Sequence, residues 1–173
     1  MTIKIKKNLN GSILDIGGGG EAVIGQIYKD RVIAIDNQQE ELDEAPDCCS
    51  KKLMDATDLM FPDNLFDNVT FFYSLMYMEQ EEQYKSICEA VRVLKIGGLM
   101  NIWDCDICFA YPDPFLVELD IETDNKAIHT TYGIIKKTPQ SSDSIINLLE
   151  HAGLRIDTIK KEDGQFYVQC KKE

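Results

Sequence analysis

The chain has 173 residues, 44% apolar and 28% charged, the proportions of one globular domain rather than of a disordered or membrane-spanning chain. Thirty acids against 18 bases leave a formal charge of −12. Such a surface repels a phosphate backbone, so no nucleic-acid partner is expected and a small, neutral or cationic molecule fits better.

In chain order, "MTIKIKKNLN" shows no apolar stretch with a small-residue cleavage site, and no later run reaches the length of a membrane span. A cytoplasmic location with no membrane partner is the expectation. Ser12 to Ile16 reads as a short buried strand that runs into four consecutive glycines. Glu21 to Lys29 follows as a helix with apolar Val23, Ile24, Ile27 and Tyr28. Arg31 to Ile35 is a second strand, Gln38 to Ala45 a short acidic helix stopped by Pro46, and Lys51 to Met54 a weak third strand. A turn then leads into a fourth strand, Asn68 to Tyr73. Tyr84, Ile87, Cys88, Val91 and Leu94 mark a long helix expected to be capped by Gly97-Gly98, and "LMNIWD" is a fifth strand.

This alternation predicts a parallel, doubly wound α/β sheet with right-handed crossovers. Two segments depart from it. Val117, Leu119 and Ile121 alternate with Glu118, Asp120 and Glu122, and a second β-rich run returns after the turn residues Thr123 to Lys126, so Phe115 to Lys136 is expected to be a hairpin. Its acidic row reads as a solvated face. The chain closes with a helix, Ser142 to Ala152, and two strands tied by a Glu-Asp-Gly turn. One domain spans 1–173, divided into 1–106, the inserted hairpin 107–140 and a C-terminal unit 141–173.

The six cysteines are expected to be reduced thiols, since a chain of this length without a signal does not depend on disulfides. Cys105-x-x-Cys108 has the spacing of half a zinc site, but no second pair or nearby histidine completes it, and no metal is expected.

The glycines stand at the carboxyl end of the first strand and open a helix, the place where open α/β sheets bind ligands. Missing Cβ atoms let the backbone come close to a ligand, and the helix N-terminus favours an anionic group. Gly17-x-Gly19-x-x-Ala22 also satisfies the dinucleotide fingerprint, and Asp36 ends the second strand where an acid accepts ribose hydroxyls. Against a dinucleotide, Asp15 precedes the glycines where it would repel pyrophosphate and attract an ammonium. Asp55 adds a further acid after the third strand, and no second nucleotide-binding half remains.

The string "ILDIGGGG … VIAID … MDATDLMFPDNLFDNVTFFYSLMYM … EAVRVLKIGGLMNIWD" resembles the class I S-adenosylmethionine-dependent methyltransferases over residues 12 to 106. The resemblance implies a Rossmann-like seven-stranded sheet in the order 3-2-1-4-5-7-6, with strand seven antiparallel and supplied by the hairpin from Leu154 to Lys172. It implies S-adenosyl-L-methionine as cofactor and methyl transfer to a small-molecule substrate. Residue by residue, Asp15, Gly17, Gly18 and Gly19 would surround the methionine moiety. Asp36 would accept the ribose hydroxyls, Asn37, Asp55 and Ala56 would meet the adenine, and Phe72 and Tyr73 would line the path to the sulfonium. Glu21 stands at the family's usual third glycine and Ile96 at its usual proline. Non-catalytic binding of the same cofactor is the alternative, and an NAD-binding regulatory domain a third.

Tyr73, Tyr77, Asp104, Asp106 and His129 are candidate proton acceptors, but no catalytic residue is assigned. Only eleven residues precede the first strand. Many relatives cover the cofactor with N-terminal helices, so here the first residues, the Phe115 to Lys136 hairpin, or a homodimer or partner chain is expected to cover the site.

Overall fold

The computed structural model describes residues 2–108, 111–123 and 126–173. After a short first strand, β1 (Thr2–Lys4), strands and helices alternate: β2 (Ile13–Ile16), α1 (Val23–Tyr28), β3 (Val32–Asp36), α2 (Gln39–Glu44) and β4 (Ser50–Leu53). Next come β5 (Phe66–Phe72), α3 (Gln80–Val93), β6 (Leu94–Cys105) and the hairpin strands β7 (Phe115–Glu122) and β8 (Ala127–Ile134). Helix α4 (Ser142–His151) leads into β9 (Leu154–Glu162) and β10 (Gln165–Lys172).

Seven strands form the main sheet in the order β4-β3-β2-β5-β6-β10-β9. Counted from β2 and leaving out the hairpin, this is 3-2-1-4-5-7-6, the expected Rossmann-like order. Strands β2 to β6 pair in parallel, while β10 runs antiparallel to both β6 and β9. All four side chains of β2 are buried, as a strand covered on both faces requires. Helices α3 and α4 cover one face, where Ile87, Ala90, Ile145 and Leu149 pack on Leu14, Ile16, Val69 and Phe71.

The other face carries α1 together with a second, three-stranded sheet in the order β1-β7-β8. Val117, Leu119 and Ile121 turn inward onto Val23, Ile24 and Ile27 of α1. The alternate row faces solvent, where Asp120 meets His129 at 2.8 Å and Glu122 meets Lys4 at 3.1 Å. Strand β1 pairs in parallel with β7, so the first residues join the hairpin. The turn expected at Thr123 to Lys126 lies partly outside the described residues.

Three boundaries differ from the sequence reading. Helix α1 starts at Val23 rather than Glu21, because Ala22 has a left-handed backbone (φ 47°) and breaks the helical run. Helix α3 ends at Val93 without the expected Gly97-Gly98 cap. Its last carbonyls are taken instead by Lys172, whose Nζ lies 2.8 Å from both Val91 O and Leu94 O, a cation placed at the helix's negative end. Leu94 is already extended and pairs with Phe66, so β6 starts five residues before Leu99 and carries the two glycines past an irregularity in its pairing. Among the described residues no helix is long and apolar enough to cross a membrane.

Candidate functional site

A cavity of about 840 Å³ opens over the carboxyl ends of β2 to β5, in the size range of small-molecule sites. Its floor is the glycine loop. Gly17 has φ +72°, open to glycine at little cost, and a Cβ there would stand 2.4 Å from the Cβ of Ser74. A Cβ on Gly19 would stand 2.6 Å from the Cβ of Glu41 and 2.9 Å from Asp36 Oδ2. These glycines are therefore demanded first by the protein's own close packing.

The loop's amides are also engaged within the fold. Gly17 and Gly18 donate to Ile35 O, Gly20 donates to Glu41 O, and Gly19 donates to Asp36 Oδ2 at 3.3 Å. The expectation that bare glycine amides face a ligand anion is corrected accordingly: these bonds stitch the loop to β3 and α2. Asp15 also departs from the expectation. It is 2% exposed, stands behind the cavity wall, and accepts a 2.6 Å bond from Thr70 Oγ1. Burial raises its pKa to about 7, with Asp36 adding to the rise and the Thr70 bond opposing it. Gly18 lies behind the wall too, with Asp15 Oδ2 only 2.6 Å from where its Cβ would be.

Gly17, Gly19, Asp36, Asn37, Asp55 and Ala56 all line the cavity, joined by Phe72 and Tyr73 from the end of β5. Asp36 Oδ1 accepts the amide of Gln38 at 3.0 Å, which fixes the carboxylate's rotation at the strand end. Asp55 Oδ1 accepts both the amide and the hydroxyl of Thr57 at 2.8 Å, and these bonds hold its pKa below the usual carboxylate value. Tyr73 has a left-handed backbone (φ 52°) and stacks on Tyr132 with ring centroids 5.6 Å apart. Its hydroxyl is buried without a hydrogen-bond partner.

Several wall residues carried no local signal in the sequence. Glu21 and Glu41 face the cavity from the glycine loop and α2, and Glu82 and Lys85 from α3. Strand β8 adds Thr131, Tyr132 and Gly133. Glu21 Oε1 accepts a 2.6 Å bond from Thr130 Oγ1 and also meets the Tyr132 hydroxyl, so the residue at the family's usual glycine position latches the hairpin to the loop. Tyr77, from the turn after β5, accepts the Gly133 amide, and burial pushes its pKa up to about 12. The hairpin is thus part of the cavity wall.

The remaining candidates sit elsewhere. Asp104 is fully buried and accepts from Met76 N, Cys105 N and Gln140 Nε2, and burial raises its pKa to about 7. Asp106 accepts Ser142 N at the start of α4, and His129 is on the solvated face of β8. None of these three lines the cavity. All six cysteines are free; Cys105 is buried and Cys108 exposed.

A family model described as a methyltransferase domain matches residues 14–102, more than half of the chain. Among solved structures, the fold is similar to a SAM-dependent methyltransferase from Methanosarcina mazei, with a TM-score of 0.66 at 19% identity over 95% of this chain and 94% of that one. It is similar to a protein from Pyrococcus horikoshii OT3, with a TM-score of 0.70 at 15% identity over 95% and 84% of the two chains. It is also similar to the [4+2]-cyclase SpnF, with a TM-score of 0.65 at 17% identity over 95% and 76%. No curated protein matches this sequence.

Proposed function

The chain belongs to the class I S-adenosylmethionine-dependent methyltransferase family, and from that premise we propose that it transfers a methyl group from S-adenosyl-L-methionine to a small-molecule acceptor in the cavity over β2 to β5. The observation that carries the reading is the pair of acids at successive strand ends. Asp36 ends β3 and Asp55 stands two residues past β4, both on the wall of one cavity beside the glycine loop. A carboxylate matches a ribose diol, which offers two hydroxyl donors.

In this reading Asp36 holds the ribose, and Asn37, Asp55 and Ala56 hold the adenine. Gly17 and Gly19 leave space for the methionine moiety, and Phe72 and Tyr73 flank the sulfonium. The cofactor supplies an already activated methyl group. The protein's part is to bind, to align the acceptor and to exclude water. The Glu21–Thr130 and Tyr77–Gly133 contacts do the last of these by holding β8 against the glycine loop and the turn after β5. Asp15 supports the loop from behind.

Calorimetric titration with S-adenosylhomocysteine, S-adenosylmethionine and NAD tests the reading. Binding of the first two and not of NAD is expected, with a matching rise in melting temperature by mass action. Binding of NAD alone would overturn it. Tight cofactor binding with no transfer to any member of a broad acceptor panel would favour a non-catalytic binding domain.

A further inference from the structure

Outside the cavity, the connection from α2 to β4 carries two adjacent cysteines, Cys48 and Cys49, both partly exposed. The connection is held in place by Lys51, whose Nζ donates to Leu42 O and Ala45 O, each at 2.8 Å. Both sulfurs converge on Gly25, a buried residue in the middle of α1. A Cβ on Gly25 would stand 2.6 Å from Cys49 Sγ and 3.2 Å from Cys48 Sγ. Glycine is a poor residue for a helix interior, and here the two sulfurs fill the space its side chain would take. The two thiols also share a hydrogen bond. Burial chiefly pushes the Cys49 pKa up to about 12, with Cys48 and Asp15 adding to the rise and Lys51 opposing it. Among the described residues no cluster of three metal-ligating side chains includes the pair, so the chemistry it offers is that of two thiols with each other.

We propose that Cys48 and Cys49 form a reversible dithiol–disulfide site whose reaction partner is a low-molecular-weight disulfide, and that closing it disturbs their packing on α1. Cys49 holds its proton, so Cys48 reacts first. The Cys48 thiolate attacks one sulfur of the small disulfide, forming a mixed disulfide and expelling a thiolate. Cys49, already in contact, then attacks Cys48 Sγ and expels the second thiolate. The two protons lost by Cys48 and Cys49 end on the two expelled thiolates. The protein pair is oxidised by two electrons, and the small disulfide is reduced to two thiols. Adjacent Cα atoms are about 3.8 Å apart, shorter than a relaxed disulfide spans, so the closed ring is strained and readily reduced. It encloses no loop, so it adds almost no restriction to the unfolded chain. Bonding also brings the sulfurs closer than their present contact, so at least one leaves its seat against Gly25 and the native packing there is lost.

The test incubates the reduced full chain with a large excess of oxidised glutathione, in a Cys108→Ser background that removes the exposed thiol. After alkylation and peptide mapping, the peptide carrying both cysteines is expected to be two hydrogens lighter, with no glutathione attached and neither thiol alkylated. Cys49→Ser is expected to stop at the Cys48 mixed disulfide, and Cys48→Ser to react at Cys49 about tenfold more slowly or less. The closed form is expected to melt about 3 °C or more below the reduced chain. An excess of reduced glutathione is expected to restore both thiols and the original melting temperature. A chain that stops at the mixed disulfide, joins either cysteine to another position, or melts unchanged after closure overturns the proposal. No readout involves S-adenosylmethionine, so the outcome is independent of the methyl-transfer reading.

Discussion

Replacing Asp15 by asparagine is expected to stabilise the protein at neutral and alkaline pH. The native carboxyl is 2% exposed, takes one side-chain hydrogen bond, from Thr70, and lies near the charge of Asp36. Its pKa is raised from 3.8 to about 7, chiefly by burial. Below 3.8 the group is protonated in both folded and unfolded chains and carries no penalty. As pH rises, the unfolded carboxyl ionises first while the folded one keeps its proton, so stability falls until both are ionised near pH 7. At 1.36 kcal/mol per unit, the full loss is about 4 kcal/mol, of which about 1.5 has occurred by about pH 5. Asparagine has no charge to lose and keeps an oxygen for the Thr70 hydroxyl. Its stability relative to the native chain should therefore rise by about 2–3 kcal/mol between about pH 5 and about pH 8. Urea unfolding followed by fluorescence of the single tryptophan, Trp103, measures both variants at both pH values. A difference that stays constant, or shifts the other way, refutes the account of Asp15 as a buried neutral acid. Cofactor affinity should change little, because Asp15 does not line the cavity. A large loss of affinity would restore the direct ligand role implied by the family resemblance.

Asp36→Ala should weaken S-adenosylhomocysteine binding by about 2–4 kcal/mol in calorimetry, since it removes an acceptor from two hydroxyl donors, with a much smaller effect on urea stability. Lys136, 5% exposed, donates to Met76 O at 3.0 Å and to Met78 O, holding the turn that carries Tyr77; Lys136→Met should lower unfolding stability by about 2–4 kcal/mol by leaving those carbonyls unpaired. Leu119→Ala should cost about 2–5 kcal/mol by the same measure, because Leu119 is fully buried in the cluster that joins the small sheet to α1. A loss below about 1 kcal/mol at Leu119 would mean that the hairpin is a separable flap instead of part of the core.

The parallel half of the sheet was legible because its signals are local. Ile13 to Ile16 and Val32 to Ile35 are short apolar runs, the helices between them carry apolar residues at helical spacing, and the terminal strands are joined by a Gly-containing turn. Asp36 ends one strand and Asp55 stands two residues past the next, so locating the strands also located the acids. The three-residue β1 was not legible, because "TIK" has too little pattern to mark a strand and gains its identity only by pairing with β7. The end of α3 was misread for a related reason: the side chain that closes it, Lys172, comes from the far end of the chain.

The sequence by itself determined a doubly wound α/β domain, a ligand crevice at the glycine loop, and the strand-end acids on its wall, since strand periodicity and turn residues act within a few positions of one another. Tertiary structure alone decided which way the remaining groups face. Asp15 is two residues from Gly17, yet it points into the core because Thr70 of the neighbouring strand receives it. The glycine amides are closed off by Ile35, Asp36 and Glu41. Glu21 meets Thr130, 109 positions away, and thereby brings Tyr132 and the rest of β8 to the cavity. Contacts at such separations depend on how the small sheet seats on α1, a packing choice made by buried area across the whole face, and no local stretch of sequence encodes it.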